Sequence, residues 1–438
     1  MMKIYSVEEA QGTILERKTL NRIEYSPLTI ENTEKIFGPG IRPPQAVETI
    51  LDSVYREGDQ AIRKWSQILD DYDGLEIIVP ESRLEQEWIA MPSRLKQAMQ
   101  SAADRIRAFH EKQAIESWFT DEMGGQLGQQ FTPIERVGVY VPGGTAPLPS
   151  SLLMSVIPAQ VAGVQQIFVA TPPEPDPSIL TAAHICKVDA VYQMGGAQSI
   201  AAMAFGTDTV QKVDKIVGAG NLFVTLAKQQ LFGVVGIEGL AGPTETMVIA
   251  DRTAQPTWVA ADLLAQAEHD VQASAILLTP DRGFANDVRK EVMAQLNSLS
   301  RKEIILASLE YAGGIVVTES LDQAAELAND YAAEHLCLSV ENPEDLMGKI
   351  NNAGGFFLGD HSFEVLGDYV AGPSHIMPTG GTARFASPLN VLDFVKISSV
   401  IGLDPSTAKA LSGIAADLAD LEGLTAHASA ARARVGDK

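Results

Sequence analysis

The sequence predicts an α/β protein of two doubly wound lobes, flanked by an N-terminal arm and a helical C-terminal tail. Three observations predict it. Short β-branched runs alternate with helix-length stretches of about a dozen residues, the pattern of a parallel sheet. That alternation occurs twice along the chain. The 438 residues also exceed the roughly 250 to 300 at which one core stops growing.

The first 31 residues are polar and aperiodic, and read as an arm or edge element. Segments 46–68 and 93–115 look helical. In the second, Leu95, Met99, Ala102, Ile106 and Phe109 recur at spacings of three and four behind Pro92-Ser93, a helix start signal. The first alternation opens at Arg136, with strands expected at 137–141, 166–170, 190–194, 215–217 and 234–237. Helices are expected between them at 151–162, 178–186, 198–205 and 222–231. The second opens at Glu245, with strands at 247–250, 275–278, 304–306, 314–317, 336–340 and 355–358. Its helices fall at 257–269, 282–296, 321–333 and 343–350. The helices before residue 136 are expected to complete the second lobe. The division is then an arm (1–31), one lobe of 32–135 with 245–385, another of 136–244, and a helical tail (386–438).

With 33 basic against 56 acidic residues, the formal charge is −23. Such a surface repels phosphate backbones and anionic membranes, which argues against nucleic-acid or membrane partners. Lys3, Glu8 and Glu9 interrupt the first 14 residues, so they lack the apolar core of a signal peptide. The longest apolar stretches, such as 151–163, are too short to span a bilayer. Two cysteines, Cys186 and Cys337, form no CxxC and no disulfide framework, and read as buried thiols. A cytoplasmic protein is expected.

No Walker A loop, G-x-S-x-G elbow or HExxH is present, which disfavours phosphoryl transfer, serine hydrolysis and zincin chemistry. Neither lobe carries G-x-G-x-x-G. The nearest approach, Gly218-Ala219-Gly220-Asn221, lacks the third glycine. A dinucleotide bound here is held in an atypical way.

Four polar segments remain as candidates for chemistry. Gln266 and His269, three apart at a helix end, share a face and can point at one ion; an ordinary surface helix end is the alternative. Glu334-His335 offers two proton acceptors with ordinary pKa values of about 4.3 and 6.5, suited to stepwise proton removal. The pair nevertheless enters a strand, opposite the edge where ligands usually gather, and on its own reads as a solvated helix end. The glycine- and proline-rich run 367–382 has no hydrophobic period and holds Asp368, a hard oxygen donor, and His375. It is either a functional loop or a plain one. Glu422 and His427 could not converge on one continuous helix. Gly423 can end one helix and Thr425 cap the next, which lets both face one site; a surface turn is the alternative. Together one Gln, two His and one Asp form an N and O donor set that suits zinc, or manganese or cobalt in its place.

Segments 136–163 (RVGVYVPGGTAPLPSSLLMSVIPAQVAG), 194–201 (MGGAQSIA), 213–224 (VDKIVGAGNLFV) and 237–251 (IEGLAGPTETMVIAD) resemble those of the histidinol dehydrogenase family. The four polar segments continue the resemblance, which covers about 35–433. It implies two incomplete Rossmann-like lobes and one zinc per subunit held by Gln266, His269, Asp368 and His427. Substrate contacts would come from Thr244, His335, His375, Glu422 and the four metal ligands, and NAD contacts from Tyr140, Gln198 and Asn221. It further implies a homodimer with shared active sites, in which Glu422 and His427 act in the partner's site. The implied reaction oxidises L-histidinol to L-histidine, the last steps of histidine biosynthesis, in two hydride transfers to NAD through an enzyme-held aldehyde. His335 would take the hydroxyl proton and serve again in the second oxidation, and Glu334 would activate water. The sequence departs from the family pattern at Ala219 and Ala333, where proline is usual, and at Cys337. Thr244 stands for a common serine and Ser374 for a common asparagine. The last two leave open a related dehydrogenase of another small polar alcohol. A metal-binding protein that keeps the fold without turnover is the reading from a different class, and the intact acid/base residues count against it.

Overall fold

The structure, a computed structural model, describes residues 2–17, 25–113, 115–143 and 147–434. Parts of four sequence expectations, residues 18–24 of the arm, 114 of a helix, 144–146 of the family-like segment and 435–438 of the tail, lie outside the described residues.

The chain opens with strand β1 (Ile4–Ser6) and runs through helices Pro27–Phe37, Pro43–Glu57 and Asp59–Asp70. A two-residue strand, β2 (Ile78–Val79), precedes helices Glu81–Ala90 and Ser93–His110, then β3 (Trp118–Thr120) and β4 (Gly125–Pro133). The first alternation supplies β5 (Arg136–Tyr140), β6 (Gln166–Thr171), β7 (Ala190–Gln193), β8 (Lys215–Val217) and β9 (Gly236–Ile237). The second supplies β10 (Glu245–Ala250), β11 (Ser274–Thr279), β12 (Gly314–Val317), β13 (His335–Ser339) and β14 (Gly355–Leu358). Strand β15 (Val395–Leu403) precedes helices Pro405–Leu421 and Thr425–Arg432.

One six-stranded sheet runs β2-β7-β6-β5-β8-β9 and the other β1-β12-β11-β10-β13-β14, so each lobe's own five strands have the order 3-2-1-4-5. All pairings among those strands are parallel. Helices cover both faces, so strand residues of both parities are buried. In β5, Val137 and Val139, with Val141 just beyond it, pack toward helices 93–110, 149–162 and 177–186, while Tyr140 packs toward helices 43–57, 59–70 and 196–205. In β10, Val248 and Ala250 meet helices 256–267, 282–296 and 302–311, and Met247 and Ile249 meet helix 321–331. Cys186 and Cys337 are buried. No helix among the described residues is long and apolar enough to cross a membrane.

The structure corrects four expectations. The helices of 43–110 pack on the lobe of 136–244, not on that of 245–385: Val47, Ile50, Ile62 and Trp65 join its core on one face, Leu84, Ala103 and Ile106 on the other. Segment 304–306 is not a strand but the middle of helix Lys302–Tyr311, whose Ile305 and Leu309 bury one face at a spacing of four. That helix covers the second lobe from within, so the earlier helices are not needed there. Segment 46–68 is broken by Gly58, whose φ of 56° suits glycine. The tail is not all helical, because β15 pairs antiparallel with β4 from Val395↔Pro133 to Leu403↔Gly125 in a three-stranded sheet with β3.

Candidate active site

Residues 90 apart meet at the entries of β10 and β13, where Thr246 lies in register with His335. Helix Leu321–Tyr331 ends on Ala332 in the left-handed conformation (φ 52°), which turns the chain directly into β13. Gly354 is needed beside the pair, since a Cβ there would press on the Glu334 carbonyl.

Glu334 and His335 are only 6% and 4% exposed. The Glu334 Oε2 accepts the Thr244 hydroxyl at 2.6 Å and the Glu245 amide at 2.9 Å. Thr244 Oγ1 in turn accepts Gln266 Nε2 at 3.0 Å. Burial pushes the Glu334 carboxyl up to about 7, against the opposing pull of His335, Thr244 and the Glu245 amide.

His335 Nδ1 lies 3.1 Å from the Glu245 carbonyl oxygen. A carbonyl only accepts, so the neutral ring carries its proton on Nδ1 and keeps Nε2 as its base. Nε2 is buried without a hydrogen-bond partner among the described residues, 3.8 Å from Asp368 Oδ1. Burial pulls the imidazole down, but the carboxylates of Glu364, Glu334 and Asp368 more than reverse this and hold it at about 9. The ring tilts against Phe357 at 5.7 Å between centroids.

Asp368 sits on helix Glu364–Tyr369 with its neighbour one turn earlier, Glu364, whose carboxyl accepts the Thr246 hydroxyl. Burial pushes Glu364 up to about 8. His375 Nδ1 donates to the Asp368 carbonyl at 2.7 Å, which leaves Nε2 to accept the Ser151 hydroxyl at 3.1 Å. That bond joins the two lobes. Burial holds the His375 imidazole below its ordinary value. Ser374 turns its hydroxyl to the Met154 carbonyl at 3.2 Å.

Thr244, Gln266, Glu334, His335, Asp368 and His375 thus converge. Gln266 is fully buried and its Oε1 has no partner among the described residues. His269 is exposed and lies two residues past the end of helix Pro256–Ala267, so it does not share a helical face with Gln266, but it is within electrostatic reach of His375. Glu422 and His427 are not brought there within one chain. Gly423 (φ 73°) breaks the helix as the sequence suggests, but both residues are exposed. Their helices pack on one another through Ala416, Ala419 and Ala428. Accordingly, the described residues hold no cluster of three or more His, Cys, Asp or Glu arranged for a metal.

The other candidates lie at the carboxyl edge of the first lobe. Tyr140 ends β5, and its hydroxyl accepts the Gly196 amide at 3.3 Å. Gln198 Nε2 donates to Asp70 Oδ2 at 3.2 Å, while its buried Oε1 has no partner. Asn221 caps helix Leu222–Leu231, accepting the amides of Phe223 and Val224. Gly218 (φ 107°) lets the turn before Asn221 press against Tyr140, where a Cβ would collide.

Sequence reasoning missed three groups. Glu364 was detectable, since it precedes Asp368 by four and shares its helical face. Arg17 grips the Glu245 carboxylate, stacks 3.5 Å over the Tyr331 ring and donates to the Tyr331 carbonyl at 2.7 Å. Lys228, paired with Glu238 at 2.7 Å, donates to the Gly218 carbonyl at 3.1 Å and so fixes the Gly218 turn. Neither brace has a local signal.

Two parallel sheets of one strand order, with a buried carboxyl-imidazole pair where their lobes meet, define a two-lobed α/β protein. Residues 42–435 match the family model described as histidinol dehydrogenase. The histidinol dehydrogenase of Nitrosospira multiformis is 46% identical over 418 residues, 94% of each chain. That of Thermus thermophilus is 48% identical over 392 residues, 90% of this chain and 94% of that one. A crystal structure of histidinol dehydrogenase from Elizabethkingia anophelis is 34% identical and superposes with a TM-score of 0.89, covering 99% of this chain and 98% of that one. The chain belongs to the histidinol dehydrogenase family and is an oxidoreductase of that family.

Proposed function

We propose that the protein is a cytoplasmic, zinc-dependent homodimer that oxidises L-histidinol to L-histidine through L-histidinaldehyde, with NAD as oxidant. The observation that carries this is the buried, unpartnered Nε2 of His335 beside Glu334. The donors fit a divalent cation. Gln266 Oε1 is buried and unpartnered, and the carboxyls of Glu334, Glu364 and Asp368 surround a single imidazole. Burial holds Glu334 and Glu364 up at about 7 and 8, and a cation among these oxygen donors would favour their ionised forms. Gln266, His269 and Asp368 would hold zinc with His427 of a second subunit, and zinc would fix the pose of the substrate's nitrogen atoms. The unpartnered Gln198 Oε1, beside Tyr140 and Asn221, fits a dinucleotide that accepts hydride.

In the first oxidation, His335 in its neutral form, which a value of about 9 places at alkaline pH, takes the hydroxyl proton on Nε2 as hydride leaves the carbinol carbon, giving the aldehyde. Glu334, oriented by Thr244 and the Glu245 amide, takes a proton from water as its oxygen adds to the aldehyde carbon. His335 gives its proton to the aldehyde oxygen as the hydrate forms, and is then free to take one from the hydrate as the second hydride leaves. Thr244 spends its hydroxyl on Glu334 and Ser374 spends its own on Met154. Neither departure from the family pattern is therefore directed at the substrate, which favours histidinol over another polar alcohol.

Supplied with zinc and L-histidinol, the protein should form about two NADH per substrate for a two-step oxidation. No turnover overturns the proposal. The shared site is tested by mixing: His335→Asn and His427→Ala dimers, each inactive, should regain activity after subunit exchange. Failure to regain it excludes His427 acting across the dimer.

A further inference from the structure

One acidic group at the first lobe's carboxyl edge has no part in the chemistry above. Asp70 closes helix Asp59–Asp70, where the helix dipole disfavours a negative charge, and Asp71 follows it as the left-handed cap. It forms no ion pair among the described residues. Partial burial pushes its carboxyl up to about 6, which leaves it ionised at neutral pH. A helix end gains nothing from such a residue.

Its surroundings supply a reason. Asp70 lies over the turn that leaves β7 and opens helix Gly196–Phe205. A Cβ on Gly195 would come within 3.2 Å of one carboxylate oxygen and 3.4 Å of the other. Tyr140 reaches the next residue of that turn, Gly196. Gln198 gives its Nε2 to Asp70 and keeps its buried Oε1 unpartnered. Two acceptors, the Asp70 carboxylate and Gln198 Oε1, therefore stand side by side, and among the described residues only Gln198's own amide donates to either. A ribose diol supplies two adjacent hydroxyl donors, and a carboxylate beside a parallel sheet's carboxyl edge is suited to accept one of them.

We infer that Asp70, together with Gln198, binds the adenosine ribose hydroxyls of NAD and excludes the 2′-phosphate of NADP by charge. The inference rests on the reading that Tyr140, Gln198 and Asn221 hold the dinucleotide. It makes Asp70 the residue that decides between the two cofactors, a role the G-x-G-x-x-G fold assigns to an acid elsewhere in the chain.

Dissociation constants for NAD and NADP, from tryptophan fluorescence without alcohol substrate, test it on the zinc-loaded protein. Wild type should bind NAD and not NADP. Asp70→Asn keeps the shape and an acceptor for Gln198 but removes the charge. It should weaken NAD by about tenfold, equivalent to about 1.4 kcal/mol, and gain measurable NADP binding. Asp70→Ser should do the same, and decides the matter if the first variant misfolds. A merely structural Asp70 would weaken NAD without any gain of NADP binding, or change neither, and either result overturns the inference. Tyr140→Phe and Gln198→Ala separate the levels of the argument. If both leave NAD affinity unchanged, the dinucleotide site itself is misplaced and the inference falls with it. If they weaken NAD while Asp70→Asn changes neither affinity, only the role of Asp70 is lost.

Discussion

The two sheets share one strand order, yet the candidate chemistry sits at opposite ends of them. In the first lobe, Tyr140, Gln198 and Asn221 follow β5, β7 and β8, at the carboxyl edge where open α/β sheets gather ligands. In the second, Thr244, Glu334 and His335 stand where β10 and β13 begin. The Ser151–His375 bond shows why: the carboxyl edge of one lobe faces the amino edge of the other. The proposed sites therefore follow the general rule for ligand placement in one lobe and invert it in the other. At that end, one backbone residue orients both members of the candidate pair. The Glu245 amide serves Glu334, and its carbonyl serves His335.

The largest expected effect breaks the second lobe's half alone. His335→Asn removes the free base, and positioned proton transfer is worth about 10² to 10⁴ in rate. NADH formation should fall by that factor while zinc content and NAD affinity hold. Full activity in this variant would remove His335 from its role.

The next effect compares the braces, one in each lobe. Glu245 is 6% exposed and is held by Arg17; Glu238 is held by Lys228, itself 3% exposed. Removing one partner of a buried pair costs about 3 to 5 kcal/mol, and both Arg17→Met and Lys228→Met should show a loss near the lower figure in urea unfolding. The kinetic consequences should separate. Arg17→Met loosens Glu245 and hence lowers kcat. Lys228→Met frees the Gly218 turn and raises the KM for NAD. The same kinetic change in both variants would show that the lobes do not divide the work.

What was legible in the sequence follows the range of the interactions. Helices 222–231 and 282–296 carry their own period and stops, and the sequence places them at Leu222–Leu231 and Arg282–Leu296. The run Ile304-Ile305-Leu306 misleads because three apolar residues fit either period, and only the burial of Ile305 with Leu309, one turn on, decides. Ownership of the helices before residue 136 is a tertiary choice between two apolar sheets, with no local mark. The helix break at Gly423 was legible from its glycine, but Thr425 opens the next helix as its first residue and does not cap it. Where the broken tail docks was not. Glu334-His335 gained its meaning from a register between strands 90 residues apart, which no local pattern reveals.

The smallest effect uses a second buried histidine as a control on the first. His110 in the first lobe repeats the hydrogen bonding of His335: Nδ1 lies 2.8 Å from the Ile106 carbonyl, and Nε2 has no partner among the described residues. Its pKa moves the other way. Burial lowers it, with no carboxylate beside it to reverse the shift, whereas three carboxylates raise His335. The folded-state value of His110 thus lies below its unfolded value of about 6.5, so the unfolded chain takes up the proton first. Its contribution to stability is complete above about pH 6.5 and is lost as pH falls toward the folded value, by at most about 1.4 kcal/mol per pH unit. His110→Gln should flatten that part of the acid-side decline in Tm between about pH 6.5 and 5, and leave the rate of alcohol oxidation unchanged. An acid-side slope identical to that of the wild type would mean that His110 does not titrate differently in the folded protein. The contrast with His335 would then rest on hydrogen bonding and not on the charges around the ring.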